Sequence, residues 1–247
     1  MFESTHESFV DQPAASQRLW RYMDLARYLS MLGTEALHFA RADQMLDQWE
    51  GAYGSANVLA RPAMYGEHYA MMEANRPHRR EFARSVVHMN CWHLSDVESA
   101  AMWHLYQREG RGVAVVTDWA SLTKSITSDR TIFGGRIKYI DYDTTLISEG
   151  NVLNAFMFKR ESYAHEREVR LIAMTGIHGQ VSHEGVAGVI PEGPVVPVDV
   201  NLSVMIKEVR VAPDAPDWIH GVVQDVTRRY GFDFRVSQSD LARDPIA

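Results

Sequence analysis

Glu166, Glu168 and Arg170 alternate along the chain immediately ahead of the apolar run Leu171, Ile172 and Ala173. Such alternation predicts an extended strand. Its three charged side chains would share one face, while Val169, Leu171 and Ala173 point into a core. Next-but-one residues on a strand sit roughly 7 Å apart. Two carboxylates that close repel, so one is driven toward its protonated form, and the arginine favours the ionised form of its neighbour. The arrangement suits a carboxylate that stabilises a developing positive charge, or one that activates a hydroxyl. A plain charge ladder on a solvated strand face has the same spacing, and spacing alone does not separate the two.

Other residues could contribute. Arg21 lies among Leu19, Trp20 and Tyr22, where a guanidinium could fork onto a phosphate or carboxylate, or form an ordinary surface salt bridge. Trp92, Trp103 and Tyr106 suit either core and cleft wall or stacking on a ligand ring. His88, Cys91 and His93 invite a metal reading, but on a strand His88 falls on the opposite face from the other two, so no metal is expected. His104 and His165 are proton carriers only if the fold brings them near Glu168. The glycine-rich dinucleotide and P-loop patterns, the zincin motif and the serine-hydrolase elbow are all missing.

The elements that must position these groups follow from pattern. Arg18–Tyr22 reads as a strand, with Asp24 capping a short amphipathic helix that Gly33 stops. Ala36–Ala40 is a second strand. Residues 61–85 are helical in tendency and basic, with Arg76, His78, Arg79, Arg80 and Arg84 as a local positive patch. Val86–Trp92 is a buried strand, and Ser95 with Glu98 forms a capping-box pattern opening a helix over Val97–Arg108 that Gly110 and Gly112 close. Strands are expected at Val113–Thr117, Arg136–Tyr142, Glu168–Ala173, Val195–Val200, Ile206–Val211 and Phe232–Val236. Helices are expected at 151–163 and 215–230, and a glycine-rich loop at 176–193. The order is irregular and no linker splits it. The expected fold is therefore a single α+β domain over residues 17–247, with mixed and antiparallel sheets, after a flexible segment 1–16.

Composition sets outer limits. The chain has 247 residues, 46% hydrophobic and 23% charged, which is enough to build a large core. A net charge of −7 argues against nucleic-acid binding through bulk electrostatics. The single cysteine excludes an internal disulfide. The first residues lack a basic stretch followed by an apolar one, and no run approaches eighteen apolar residues. The expectation is a cytoplasmic protein without a membrane partner.

The order Leu19–Tyr22, Ala36–Ala40 and Asp47 with Trp49–Glu50, then Asn90–Ser95, Met102–Tyr106 and Gly112–Val116, resembles the bacterial family called domain of unknown function 2971. So do Phe158–Lys159, His165–Ile172, Ile206–Pro213 and Val236–Ser239. The resemblance spans residues 18 to 241. It departs at Gln48 and Trp49, where the family favours a proline and a phenylalanine. A looser resemblance, carried by a first-strand arginine and a distal glutamate ahead of an apolar strand, is to ADP-ribosyltransferases, including DNA-targeting bacterial toxins. It implies a fold of two packed sheets with peripheral helices and a reaction that consumes NAD as substrate. Arg21 would hold NAD, Glu168 the nicotinamide ribose, and Glu166 the acceptor. Tyr22, Trp103, Tyr106 and Arg170 would complete the binding set. The acceptor would be a nucleic acid or a protein, and the setting phage defence or a toxin. Two alternatives stand beside this reading. One is another enzyme acting on a nucleotide, nucleic acid or sugar with the Glu166/Glu168 pair; the other is a non-catalytic binding module.

Overall fold

β-branched and aromatic residues are concentrated in short alternating runs, and these runs become the strands of one large sheet. The computed structural model describes residues 1–106, 111–176 and 192–245. In chain order its first half holds β1 (Arg18–Asp24), α1 (Leu25–Thr34), β2 (Ala36–Arg41), α2 (Ser55–Tyr65), α3 (Tyr69–Ala74), α4 (Arg76–Val86) and β3 (Val87–Leu94). There follow α5 (Ala100–Tyr106), β4 (Gly112–Asp118), α6 (Trp119–Lys124), β5 (Ile132–Arg136), β6 (Lys138–Ile140) and β7 (Phe158–Arg160). The last elements are β8 (Glu168–Met174), β9 (Val195–Asp199), α7 (Leu202–Met205), β10 (Glu208–Val211), α8 (Asp217–Arg229) and β11 (Arg235–Gln238). This is the α+β architecture expected, a single domain whose nine-stranded sheet is mostly antiparallel and is joined by a small β6–β7 ribbon.

The sheet forks at β3. One edge of β3 pairs with β8 from Val87 to His93. The other edge is divided: His88 and Met89 pair with β2, and His93 and Leu94 pair with β1. Neither strand pairs with Asn90–Trp92 on that edge. β1 leads to β4, β10 and β11, and β2 leads to β9, so the two wings part there. Asn90 spans the gap by donating from Nδ2 to the His38 carbonyl at 2.9 Å, and its Oδ1 accepts from Trp92 Nε1 at 2.8 Å. Side chains here satisfy groups that a continuous ladder would have bonded through the backbone.

Three cores cover the faces. The largest joins Leu19, Trp92, Val115, Val169, Leu171 and Val198 to α1 and α8. A second gathers Phe9, Met89, Phe156, Met157 and Ile172. The third packs Trp20, Tyr22, Ala114 and Val116 under Met102 and Trp103 of α5. No described helix is long and apolar enough to cross a membrane.

Several elements differ from expectation for identifiable reasons. α1 ends at Thr34 with Glu35 left-handed (φ 46°), not at Gly33. Ser95 and Glu98 form no capping box. Ser99 caps α5 by accepting from Met102 N, and Glu98 instead binds Ser239 and Asp240 near the far end of the chain. Residues 151–163 are not a continuous helix. Asn151 caps a 3-10 turn that buries Leu153 and Phe156, and residues 158–160 are then taken by parallel pairing with β6. Of the strand expected at Arg136–Tyr142 only β6 forms, while β5 just before it was unforeseen; the last strand is shifted to Arg235–Gln238. The first sixteen residues, expected to be flexible, lie along β5: Phe2 bridges Ile132, and Phe9 is buried. Most of the expected 176–193 loop falls outside the described residues.

Candidate functional site

β8 presents Glu168 and Arg170 opposite Val169, Leu171 and Ala173, as alternation requires, but the charged face is sealed. Glu168 is 4% and Arg170 0% exposed, which is incompatible with a ladder in water. Glu166 is not on the strand. It closes a 3-10 turn over Glu161–Glu166, and the left-handed Arg167 (φ 41°) separates it from β8. The two glutamates nevertheless meet at one ammonium, that of Lys159 on β7. Its Nζ lies 2.5 Å from Glu166 Oε2 and 2.9 Å from Glu168 Oε2.

Arg170 is bonded at all three of its nitrogens. Nη1 and Nη2 donate to the two oxygens of Glu50 at 2.7 and 2.9 Å, Nε donates to Glu168 Oε1 at 2.7 Å, and Nη1 also reaches the Phe156 carbonyl at 2.6 Å. Glu50 is held there by local geometry. Gly51 follows it with φ 68° and passes so close to the Phe156 ring that a Cβ would sit 2.6 Å from it. Only glycine turns the chain there without strain or collision. The Tyr139 hydroxyl accepts from Glu168 N at 2.7 Å and ties β6 to the start of β8.

Three carboxylates, Glu50, Glu166 and Glu168, thus surround two cations, Lys159 and Arg170. Burial opposes the ionised form of Glu168, but Arg170 and Lys159 together outweigh it and hold the carboxyl far below the usual glutamate range. For Glu166 burial prevails over Lys159 and its pKa is raised. Burial also works against the charge on Lys159 and Arg170, and the surrounding carboxylates reverse that. Glu168 Oε2 meets Lys159 as an ion pair off the hydrogen-bonding line, so this oxygen keeps accepting capacity. Cys91 lies opposite Arg170 in register, its thiol pushed up by burial and then by Glu168.

Arg21 has different surroundings. It stands at the middle of β1, opposite Val115 and just past the point where β1 leaves β3. Its guanidinium lies over the Trp92 ring at 5.8 Å. Nη1 is enclosed without a hydrogen-bond partner, and among the described residues no carboxylate pairs with it. Burial pushes the group down to about 10. Among the described residues the acidic groups that act on it are Cys91 and Tyr106, and burial pushes both up, so neither supplies a countercharge at neutral pH. His38 across the fork is lowered by burial and by Arg21. By register Arg21 belongs to the Trp92 face and Glu168 to the other, and no bond joins them. Tyr106 is 40% exposed, and its hydroxyl is pushed up by burial and then by Glu166, Cys91 and Glu168.

The remaining candidates fall into the walls. The Tyr22 hydroxyl accepts from Ser99 N at 2.8 Å, and Trp103 Nε1 donates to Glu98 at 2.9 Å; both side chains are buried and meet edge to face. His93 is bonded to the Glu166 carbonyl, and His88, on the opposite face, to Thr175 and the Gly193 carbonyl. His165 and His104 are exposed, and His165 bonds the Ser162 carbonyl. On α4, Arg76 pairs with Glu73 and Glu149, while Arg80 and Arg84 reach carbonyls of Gln48 and Ala42. A crevice of about 390 Å³ lies elsewhere, between the N-terminal segment and Arg136, Lys138 and Phe158, and Arg136 is paired there with Asp11 at 3.7 Å. Glu50 and Lys159 escaped the sequence-derived candidates. Their signal was faint: each is one charged residue beside an aromatic, Trp49 or Phe158.

The chain matches no family model and no curated protein, so the resemblance to domain of unknown function 2971 rests on its motifs alone. Among solved structures, Thermus sp. 2.9 DarT in complex with ADP-ribosylated ssDNA is similar with a TM-score of 0.40 and 8% identity, over 94% of this chain and 97% of that one. The same protein in complex with NAD+ gives 0.39 and 8%, over 92% and 96%. Its carba-NAD+ complex gives 0.39 and 8%, over 93% and 98%.

Proposed function

We propose that the protein is an NAD-consuming enzyme of the ADP-ribosyltransferase or NAD glycohydrolase type. The observation that carries this reading is Arg21, a desolvated guanidinium with an enclosed, unpartnered Nη1 and no counterion among the described residues. A buried charge in that state costs stability, and a bound anion relieves the cost. A pyrophosphate supplies that anion, and Trp92 with the half-exposed Tyr106 supplies apolar surface beside it.

The chemistry then falls to the glutamates. As the bond between nicotinamide and ribose breaks, its electron pair leaves with the nicotinamide and positive charge grows on the sugar. Glu168, kept ionised by Arg170 and Lys159, is a fixed negative charge. Such a charge favours the transition state over the ground state. Glu166 is more exposed than Glu168, and its raised pKa suits a base that takes the proton from an attacking hydroxyl or water.

Nicotinamide release from NAD, followed for wild type, Arg21→Met and Glu168→Gln, tests the reading. Release by wild type that both variants lose supports it. No release, together with no rise in melting temperature on adding NAD, sinks it. One observation favours a second reading, a non-catalytic nucleotide-binding module: both oxygens of Glu168 already face cations. In that case NAD or a related nucleotide raises the melting temperature through Arg21 and nothing is released.

A further inference from the structure

We infer that Lys159 is a positioning residue that holds Glu166 against Glu168 and sets the pH at which Glu166 takes up a proton, because among the described residues its ammonium alone bridges the two carboxylates. The inference rests on the site reading above for its catalytic meaning, though not for its physical content. Arg170 does not fill this role, since its donors are taken by Glu50, Glu168 and the Phe156 carbonyl. Among the described residues, Lys159 is the one basic group in ion-pair contact with Glu166.

Its placement is fixed from several sides. Residue 159 pairs in parallel with Tyr139, whose hydroxyl holds the start of β8, so β7 and β8 are tied through β6. The Tyr163 ring lies 5.1 Å from Nζ, and Glu50 Oε1 is 3.9 Å away on the far side. The ammonium is 2.5 Å from Glu166 and 2.9 Å from Glu168. Glu168 has Arg170 as a second cation and Glu166 has none, so a proton added to the pair settles on Glu166. Among the described residues the other titratable groups facing Glu166 are Glu168 and Arg170 from β8, Tyr106 from α5, His93 from β3, Tyr139 from β6, and His165 and Arg167 beside it. Of these Arg170 and Arg167 are permanent cations; Arg170 is engaged by Glu50 and Glu168, and Arg167 is exposed.

Carbon-13 titration of glutamate carboxylates in the full chain tests this for wild type, Lys159→Met and Lys159→Arg. In wild type one carboxylate, lost in Glu166→Gln, titrates above the ordinary range while Glu168 stays ionised. Lys159→Met raises that midpoint by at least about one pH unit, a tenfold change in proton affinity, and Lys159→Arg restores it. A midpoint in Lys159→Met unchanged from wild type overturns the inference. Should Lys159→Met not fold, the Lys159 Nζ resonance of wild type serves: it must shift at the Glu166 midpoint, and a flat response overturns the assignment. The acid limb of nicotinamide release should move with the same midpoint. Absence of release in wild type, with the carboxylate titrations as described, counts against the NAD reading and leaves the role of Lys159 standing.

Discussion

Arg21 and Arg170 both stand in central strands and both reach the interior, yet their surroundings are opposite. Arg170 meets Glu50 with two donors, Glu168 with a third and a backbone carbonyl besides. Arg21 meets the face of Trp92 and no carboxylate among the described residues. Surrounding carboxylates hold Arg170 protonated, while desolvation pushes Arg21 down to about 10. A compensated buried charge holds a fold in one arrangement; an uncompensated one marks where the fold alone is incomplete.

The sharpest way to break the comparison is to remove the paired arginine. Arg170→Met leaves Glu50 and Glu168 buried with Lys159 alone, and the expected loss is ~3–5 kcal/mol in denaturant unfolding. A loss under about 1 kcal/mol would mean the cluster is wetter than its burial implies. Glu50→Gln removes the paired acceptor and should cost roughly 2–3 kcal/mol. Combined with Arg170→Met it should cost less than the sum, since the two act on one interaction.

A smaller effect appears with pH. The Glu168 pKa is lowered in the folded state, so its contribution is fully present above the ordinary glutamate range. It is lost as pH falls toward the native value, because the unfolded chain takes up a proton that native Glu168 refuses. Glu166 is shifted up and works in the opposite direction. Glu168→Gln should therefore be weaker than wild type at neutral pH and show a shallower loss below about pH 5, by on the order of 1–2 kcal/mol. Equal acid slopes in the two proteins would contradict the assignment. The smallest effect belongs to Arg21→Met, where stability should hold or rise by up to ~1 kcal/mol, because an uncompensated charge is replaced by an apolar chain. A clear loss there would show that Arg21 is structural after all.

Much of the sheet could be read directly. The alternation in Val169–Ala173 places side chains on the expected faces, because a strand's period of two is a local property. Arg21 and Glu168 stood out as charges within apolar strands for the same reason. The sealed face of β8 could not be read, since period two separates faces without saying whether water reaches them. Nor could the departure of Glu166 from the strand, which depends on the left-handed backbone of Arg167, a conformation its residue type does not announce.

Local pattern was thus sufficient for the α+β class, the order of most strands and the strand positions of Arg21 and Glu168, because periodicity and turn chemistry act over a few residues. The fork at Asn90–Trp92 and the convergence of Glu50, Lys159, Glu166 and Arg170 arise from pairings between distant segments. Glu50 and Arg170 are 120 residues apart in the chain. Their meeting depends on sheet register and on buried charges finding partners, and both are properties of the assembled interior, where an ion left alone is too costly to keep.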